Sequence, residues 1–275
     1  MNTQNKYVPP ILQVEPSTDC NLDCPFCFRK KYSQKGENIN FEVFKKAVDQ
    51  QGFRYLSLHG WGEPLMNPYL VDMIKYGAEK GFSVNFTTNA TLVGEKAEGL
   101  LSSGVGIIAF SIPDLSLFSP DISGNIKYFH ELKKQKGFTF PKTYINIAMM
   151  ECNFDTVEET LSISNDLGVD AVNFERSYPW KPEYTKEEEK IFRKVNDFTE
   201  KTGLKITLPV PHTLPCRLFN TTLFMRYNGD MTPCCYRPDI VFGNINSETF
   251  DEIMHKRNIF REEMAEDPIC SVCGI

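Results

Sequence analysis

Apolar residues first gather at Ile11 to Glu15, a short run closed by Pro16 that predicts a buried strand. Helical spacing over Phe41 to Gln51 follows, and strand character returns at Tyr55 to His59. The alternation then repeats. Helices are predicted over Pro68 to Lys80, Val93 to Ser102, Ile122 to Lys136 and Phe154 to Leu167, the last capped by Gly168. Strands are predicted at Ser83 to Thr88, Val105 to Ile112, Tyr144 to Met149 and Ala171 to Phe174. Near-continuous apolar strands suit a parallel sheet covered on both faces, so six βα units imply an α/β fold with a partial (β/α)6 barrel.

Past Ser177 the pattern changes. Prolines, tyrosines and Trp180 interrupt it, and a charged helix follows over Lys186 to Thr202, its exposed face most simply a solvated one. From Lys205 the chain is short strands and turns. Asn228-Gly229 is placed as a hairpin turn between Phe224-Tyr227 and Met231-Thr232, and a helix near Ser247 to Glu263 leads to the last cysteines. The expected division is a barrel with linker helix over 1–204 and a small hairpin-plus-helix domain over 205–275.

The 275 residues, 41% apolar, suffice for one barrel with an appendage, and a net charge of −6 argues against a nucleic-acid backbone as partner. The first ten residues carry no signal-peptide core, and no apolar run spans a bilayer, so a cytoplasmic setting without a membrane partner is expected. In that setting nine cysteines are poorly explained by disulfides. Their clustering points to metal, with zinc and iron–sulfur both open.

The stretch CNLDCPFC places Cys20, Cys24 and Cys27 in the loop after the first strand, at the strand ends where parallel barrels carry their active sites. Three thiolates can ligate three irons of a four-iron cluster and leave the fourth open. A zinc site is the rival, although its spacings are usually paired Cys-x2-Cys and no histidine follows at ligand distance.

This stretch resembles the Cys-x3-Cys-x2-Cys signature of the radical S-adenosylmethionine (SAM) superfamily. His59-Gly60-Trp61-Gly62-Glu63-Pro64 is similar to its GGEP segment, and Thr88-Asn89 to its Thr-Asn pair after the third strand. The resemblance covers about Ile11 to Phe174. It implies a 4Fe–4S cluster whose open iron chelates SAM, whose reductive cleavage yields a 5′-deoxyadenosyl radical that abstracts a substrate hydrogen. It further implies that Phe26 lies against the adenine, that Gly62 and Glu63 meet the methionyl amine, and that Ser111 touches ribose or carboxylate. Asn89, Asn146 and Phe174 are further cofactor contacts on the same ground, Phe174 being equally readable as core. A flavodoxin- or ferredoxin-type reductant is the implied partner.

Near the C-terminus, Cys216-x12-Gly229-x4-Cys234 and Cys270-x2-Cys273 offer four thiolates that would close either a four-iron cluster or a zinc site. The arrangement resembles the Twitch domain, the short relative of the SPASM domain, which holds one auxiliary cluster. The whole plan is similar to that of butirosin-type 2-deoxy-scyllo-inosamine dehydrogenases. By that likeness the enzyme oxidises a small polar metabolite such as an aminocyclitol or sugar, with the auxiliary cluster as electron acceptor.

Cys235 and Cys152 stand outside the ligand set. Each reads either as a small buried residue or as a thiol that returns a hydrogen atom, which an epimerase needs. Glu175 and Arg176, past the sixth strand, are candidates for substrate contact or for the base that an alcohol oxidation requires, unless they pair with each other. Peptide modification by thioether or carbon–carbon linkage is the remaining alternative, with a peptide as substrate.

Overall fold

Strands and helices follow one another from the start of the computed structural model, which describes residues 7–32, 36–112 and 114–275. In chain order they are β1 (Ile11–Val14), α1 (Arg29–Tyr32), α2 (Phe41–Val48), β2 (Tyr55–Leu58), α3 (Leu70–Glu79), β3 (Ser83–Thr88), α4 (Val93–Leu101) and β4 (Ile107–Ser111). There follow α5 (Pro120–Gln135), β5 (Lys142–Met149), α6 (Val157–Leu167), β6 (Ala171–Arg176), α7 (Thr185–Thr202) and β7 (Ile206–Thr207). The chain closes with α8 (Arg217–Thr221), β8 (Thr222–Met225), β9 (Asp230–Thr232), β10 (Gly243–Asn244) and α9 (Phe250–Glu263). The extended start expected before Ile11 lies, for residues 1–6, outside the described residues.

Local chemistry explains the helix ends. The Asn40 side chain accepts the Glu42 amide at 2.8 Å to open α2, and Ser119 with Pro120 opens α5. Thr249 and Glu252 form a reciprocal capping box at α9. Gly168 ends α6 at φ 70°, a conformation only glycine adopts without strain.

The chain forms two compact units, Met1–Phe86 with Thr213–Val272, and Thr87–His212 with Cys273–Ile275. In the first, strands run in the order β10-β9-β8-β1-β2-β3. β1 pairs in parallel with β2 on one side and β8 on the other, so that Ile11 faces both Tyr55 and Thr222. β8, β9 and β10 are antiparallel neighbours. Leu12, Val14, Leu56, Leu58 and Phe86 form the core with Phe44, Met73 and Ile74 of the helices. All four residues of β8 are buried, because strands flank it on both sides. These units are drawn differently from the expected 1–204 and 205–275, since the C-terminal segment extends the sheet that β1 begins.

In the second unit β4, β5, β6 and β7 are parallel neighbours, with Ile107 opposite Lys142 and Tyr144 opposite Ala171. Ile108, Phe110, Ile145, Ile147 and Val172 bury their side chains with Ile126, Phe129, Leu161 and Val195. The expectation of strands buried on both faces needs correcting at β3 and β5. There burial alternates residue by residue, leaving Asn85 and Thr87, and Tyr144, Asn146 and Ala148, on a half-buried face. Polar residues at period two mark a face that water or a ligand reaches.

Gly124 lies within α5, and a Cβ built there meets nothing within 4 Å. Gly124→Ala is therefore expected to raise stability by about 0.5–1 kcal/mol, read as a higher urea midpoint at unchanged slope.

Candidate functional site

In the first unit, Cys20, Cys24 and Cys27 occupy the loop between β1 and α1, each half-buried. The loop is held at many points. The Cys27 amide bonds to the Cys24 carbonyl at 3.2 Å, and the buried Arg29 guanidinium donates to the Leu22 carbonyl at 3.2 Å. The Thr18 and Ile39 amides bond to Glu37 and Pro16 carbonyls, and Asn67 donates to Pro16 at 2.8 Å. Gly62 lies against this loop so closely that a Cβ there would stand 2.1 Å from the Ser17 carbonyl oxygen and 2.6 Å from that of Asp19. The Glu63 amide donates to the Asp19 carbonyl at 2.7 Å, and its buried carboxylate accepts the Leu65 amide. Phe26 stays exposed, available to a ligand ring.

Trp61 touches Cys27 and the backbone of Cys235, which follows Cys234 in the chain. The Cys27 thiol lies 3.9 Å from the Trp61 carbonyl oxygen, and the indole N–H donates to the Cys235 carbonyl at 2.9 Å. The Phe28 and Tyr236 rings each stand 5.2 Å from the indole and 5.9 Å from one another, so the three form a triangle of rings.

A polar line that the sequence reading did not anticipate crosses β1, β2 and β3. Gln13 donates to the His59 carbonyl at 3.1 Å, His59 Nδ1 meets the Ser57 hydroxyl at 3.2 Å, and Ser57 donates to Asn85 Oδ1 at 2.7 Å. Its signal was the period-two spacing of Asn85 and Thr87 within an otherwise apolar strand.

Desolvation pulls the His59 imidazole from 6.5 down to about 4, so it is neutral at physiological pH. Near pH 5 the unfolded chain binds a proton at His59 that the folded chain refuses, so acidification favours unfolding. The loss begins below 6.5 and is complete near 4, with an upper bound of about 3 kcal/mol that the partial exposure of the residue reduces. Urea titrations between pH 7 and 4 should show this slope in the parent and its reduction in His59→Asn.

In the second unit, Asn89 accepts the Thr91 amide at 3.0 Å and hydroxyl at 2.6 Å, forming the turn after β3. Asn146 donates to Thr87 Oγ1 at 3.3 Å and accepts from Asn173 at 3.1 Å on the half-buried face of β5. Ser111 ends β4, half-buried, whereas Phe174 is 2% exposed and belongs to the core. Cys152 is exposed in the turn after β5, and burial of its sulfur with the Asp114 charge nearby raises its thiol, which stays protonated at neutral pH.

Glu175 and Arg176 do not pair with each other. Arg176 forms a two-pronged ion pair with Glu188 of α7, at 2.7 and 3.1 Å, and donates also to the Val210 and Gly274 carbonyls. Glu188 lies on the buried face of α7, with Ile191 and Val195. Glu175 is exposed at the end of β6. Desolvation raises its carboxyl above the usual carboxylate range.

Of the second cysteine group, Cys216, Cys234 and Cys270 fall in the first unit and Cys273 in the other. Cys216 caps α8, its sulfur accepting the Phe219 amide at 3.3 Å. Arg237 joins the Cys234 turn to the terminal knuckle. It pairs with Asp239 at 2.9 Å and with Asp267 at 2.5 Å, and Nη1 lies 3.4 Å from Cys270 Sγ. Asp267 in turn accepts the Ile269 and Cys270 amides at 3.0 and 2.8 Å.

None of the nine cysteines is paired in a disulfide. An iron–sulfur cluster offers each thiolate a separate corner, whereas zinc gathers its four ligands on one ion. Burial raises the thiols of Cys20, Cys24 and Cys216 and pushes Cys270 up to about 12, a penalty relieved when iron replaces the proton. N–H donors already aim at sulfur, and buried Arg29 and Arg257 keep N–H atoms without a partner beside these loops. The donor set fits iron–sulfur clusters. Among the described residues no helix is long and apolar enough to cross a membrane.

Comparison with known proteins agrees. Residues 14–195 match the family model of the radical SAM superfamily, and residues 216–274 that of an iron–sulfur cluster-binding domain of SPASM type. The tungsten-containing aldehyde ferredoxin oxidoreductase cofactor-modifying protein of Pyrococcus furiosus is 23% identical, over 89% of this chain and 78% of its own. The crystal structure of Streptococcus suis SuiB bound to S-adenosylmethionine superposes with a TM-score of 0.74 at 20% identity, covering 98% of this chain and 69% of that one. That of BtrN in complex with AdoMet and 2-DOIA gives 0.54 at 16% identity, over 97% and 92%. These likenesses carry the fold, a partial α/β barrel with a small C-terminal iron–sulfur domain. Matched over more than half of its length, the chain belongs to the radical SAM superfamily, whose 4Fe–4S cluster and SAM it shares together with auxiliary iron–sulfur binding.

Proposed function

We propose that the chain is a dehydrogenase of a small polar alcohol, such as an aminocyclitol or sugar, with Cys20, Cys24 and Cys27 holding the SAM-binding cluster and Cys216, Cys234, Cys270 and Cys273 an auxiliary one. When bound and reduced, the first cluster and SAM supply a 5′-deoxyadenosyl radical. Phe26, Gly62 and Glu63 would hold SAM in the first unit, and Ser111, Asn89 and Asn146 would supply polar contacts in the second. The substrate carbon bearing the hydroxyl gives up a hydrogen atom, its hydroxyl proton passes to a base, and one electron leaves for the auxiliary site. The alcohol thus becomes a ketone, and the electron spent on SAM is recovered. Glu175 is the candidate base, since it is exposed at a strand end and makes no ion pair among the described residues, whereas Arg176 is committed to Glu188.

The observation that carries this reading is Trp61, which touches Cys27 through its carbonyl and Cys235 through its indole. A redox outcome needs a short, rigid route between the clusters, and Trp61 leads from Cys27 to the backbone next to the proposed ligand Cys234.

A second reading, epimerisation, is favoured by the exposed, protonated thiol of Cys152 beside the end of β5. Anaerobic turnover in deuterated water with reductant and SAM, against cyclitols, sugars and peptides, separates the two. A dehydrogenase forms one 5′-deoxyadenosine per ketone, places no solvent deuterium in the product, and is unchanged by Cys152→Ala or Cys235→Ala. Deuterium in the product, lost in Cys152→Ala, would sink the dehydrogenase.

A further inference from the structure

Arg257 of α9 is fully buried, its guanidinium 4.0 Å from the centre of the Phe219 ring. It donates from Nη2 to the Phe219 carbonyl, while Nε and Nη1 have no hydrogen-bond partner. Among the described residues no carboxylate pairs with it. The charged or titratable groups around it are Tyr7, Arg261 and Cys216, and the Tyr7 hydroxyl is occupied with the Asn220 carbonyl. The N–H of the same residue, Phe219, donates to Cys216 Sγ at 3.3 Å. One packed group therefore holds an uncompensated cation and a cysteine.

Leaving a buried charge without a counter-charge costs several kcal/mol, so a chain that keeps one needs an anion there. Arg237, by the other auxiliary cysteines, makes the contrast. Asp239 and Asp267 cancel its charge, and its work is to fix the position of Cys270. Arg257 has no such pair.

We propose that Arg257 is the counter-charge of the auxiliary cluster and raises its reduction potential. A four-thiolate cluster is anionic and becomes more so on reduction, so a fixed cation nearby favours the reduced form. This rests on the ligand set proposed above, with Cys216 a ligand.

The test compares the parent chain, Arg257→Met and Arg257→Lys after anaerobic reconstitution, by iron analysis and potentiometric electron paramagnetic resonance. In Arg257→Met the reduced-to-oxidised ratio of the auxiliary cluster at a given poise should fall at least about tenfold, which is 59 mV for one electron. The SAM-binding cluster should not move, and Arg257→Lys should recover most of the shift. Without metal, Arg257→Met should melt no lower than the parent, since the lost charge had no partner there; with clusters it should melt lower. Loss of the auxiliary cluster in the Met variant but not the Lys variant, with metal-free chains melting alike, supports the same role.

Equal potentials in all three chains, or equal destabilisation of metal-free and loaded Arg257→Met, would overturn it and leave Arg257 a packing residue. A parent with about four irons rather than about eight would overturn the ligand set itself, and is told apart by iron content alone.

Discussion

Gly62→Ala is expected to abolish assembly of the SAM-binding cluster and to lower SAM cleavage at least about 100-fold. The added methyl would sit 2.1 Å from one backbone carbonyl oxygen and 2.6 Å from another, those of Ser17 and Asp19. Neither is a side chain that can swing away. Relief requires a shift of about 1 Å in the segment that leads into Cys20, and misplacement on that scale is worth about two orders of magnitude in rate. Overpacking against a fixed backbone adds about 3 kcal/mol of destabilisation, the upper end for such changes. Iron per chain, 5′-deoxyadenosine yield and a urea midpoint measure the three effects. A variant with full iron and full cleavage would show that the loop between β1 and α1 adapts freely to Gly62.

The second large effect is expected at Arg237. Its replacement by Met leaves Asp267 and Asp239 without their cation, and Asp267 is the group that ties down the Ile269 and Cys270 amides. Breaking a buried pair on one side destabilises by about 3–5 kcal/mol, and the exposure of Asp239 places this case near 3. The auxiliary iron should be lost while iron held by Cys20, Cys24 and Cys27 remains, so that the chain drops to about half its iron yet still binds SAM. The double replacement Arg237→Met with Asp267→Asn should recover part of the lost stability, because it removes the stranded charge as well.

Most elements were legible because their signals are local. Ser83–Thr88 was placed residue for residue, and Gly168 marked the end of α6, since apolar period and cap chemistry are written within a few positions. What escaped was long-range. Phe224 and Met225 were expected in one arm of a hairpin, where they lie, but their parallel partners Gln13 and Val14 stand about two hundred positions away and leave no mark nearby. Arg176 was read toward a substrate, or as a pair with Glu175, because it follows the expected sixth strand; its partner Glu188 lies twelve positions on, in the next helix. Arg257 had a signal that went unread, for it falls on the same helical stripe as Ile253, Met254 and Met264, all buried. An arginine in line with such residues is a cation inside the protein.

The function was legible to a different depth. Thiol spacing alone left zinc open at both sites; the resemblance of the HGWGEP segment and the family match narrowed it to radical chemistry. Gly62 shows why a glycine stands there, a reason that spacing does not contain. The substrate was not legible, because polar groups at strand ends such as Glu175 specify chemistry only against a bound molecule.

The placement of β8 beside β1 bears on how this enzyme can be dissected. A truncation after residue 204 would strip the first strand along one side, leaving its amides and carbonyls bare and its apolar side chains uncovered. Such a flank invites pairing between molecules, and the shortened chain would precipitate rather than survive as a smaller catalyst. The tail that carries the last cysteines is thus also the flank guard of the catalytic half.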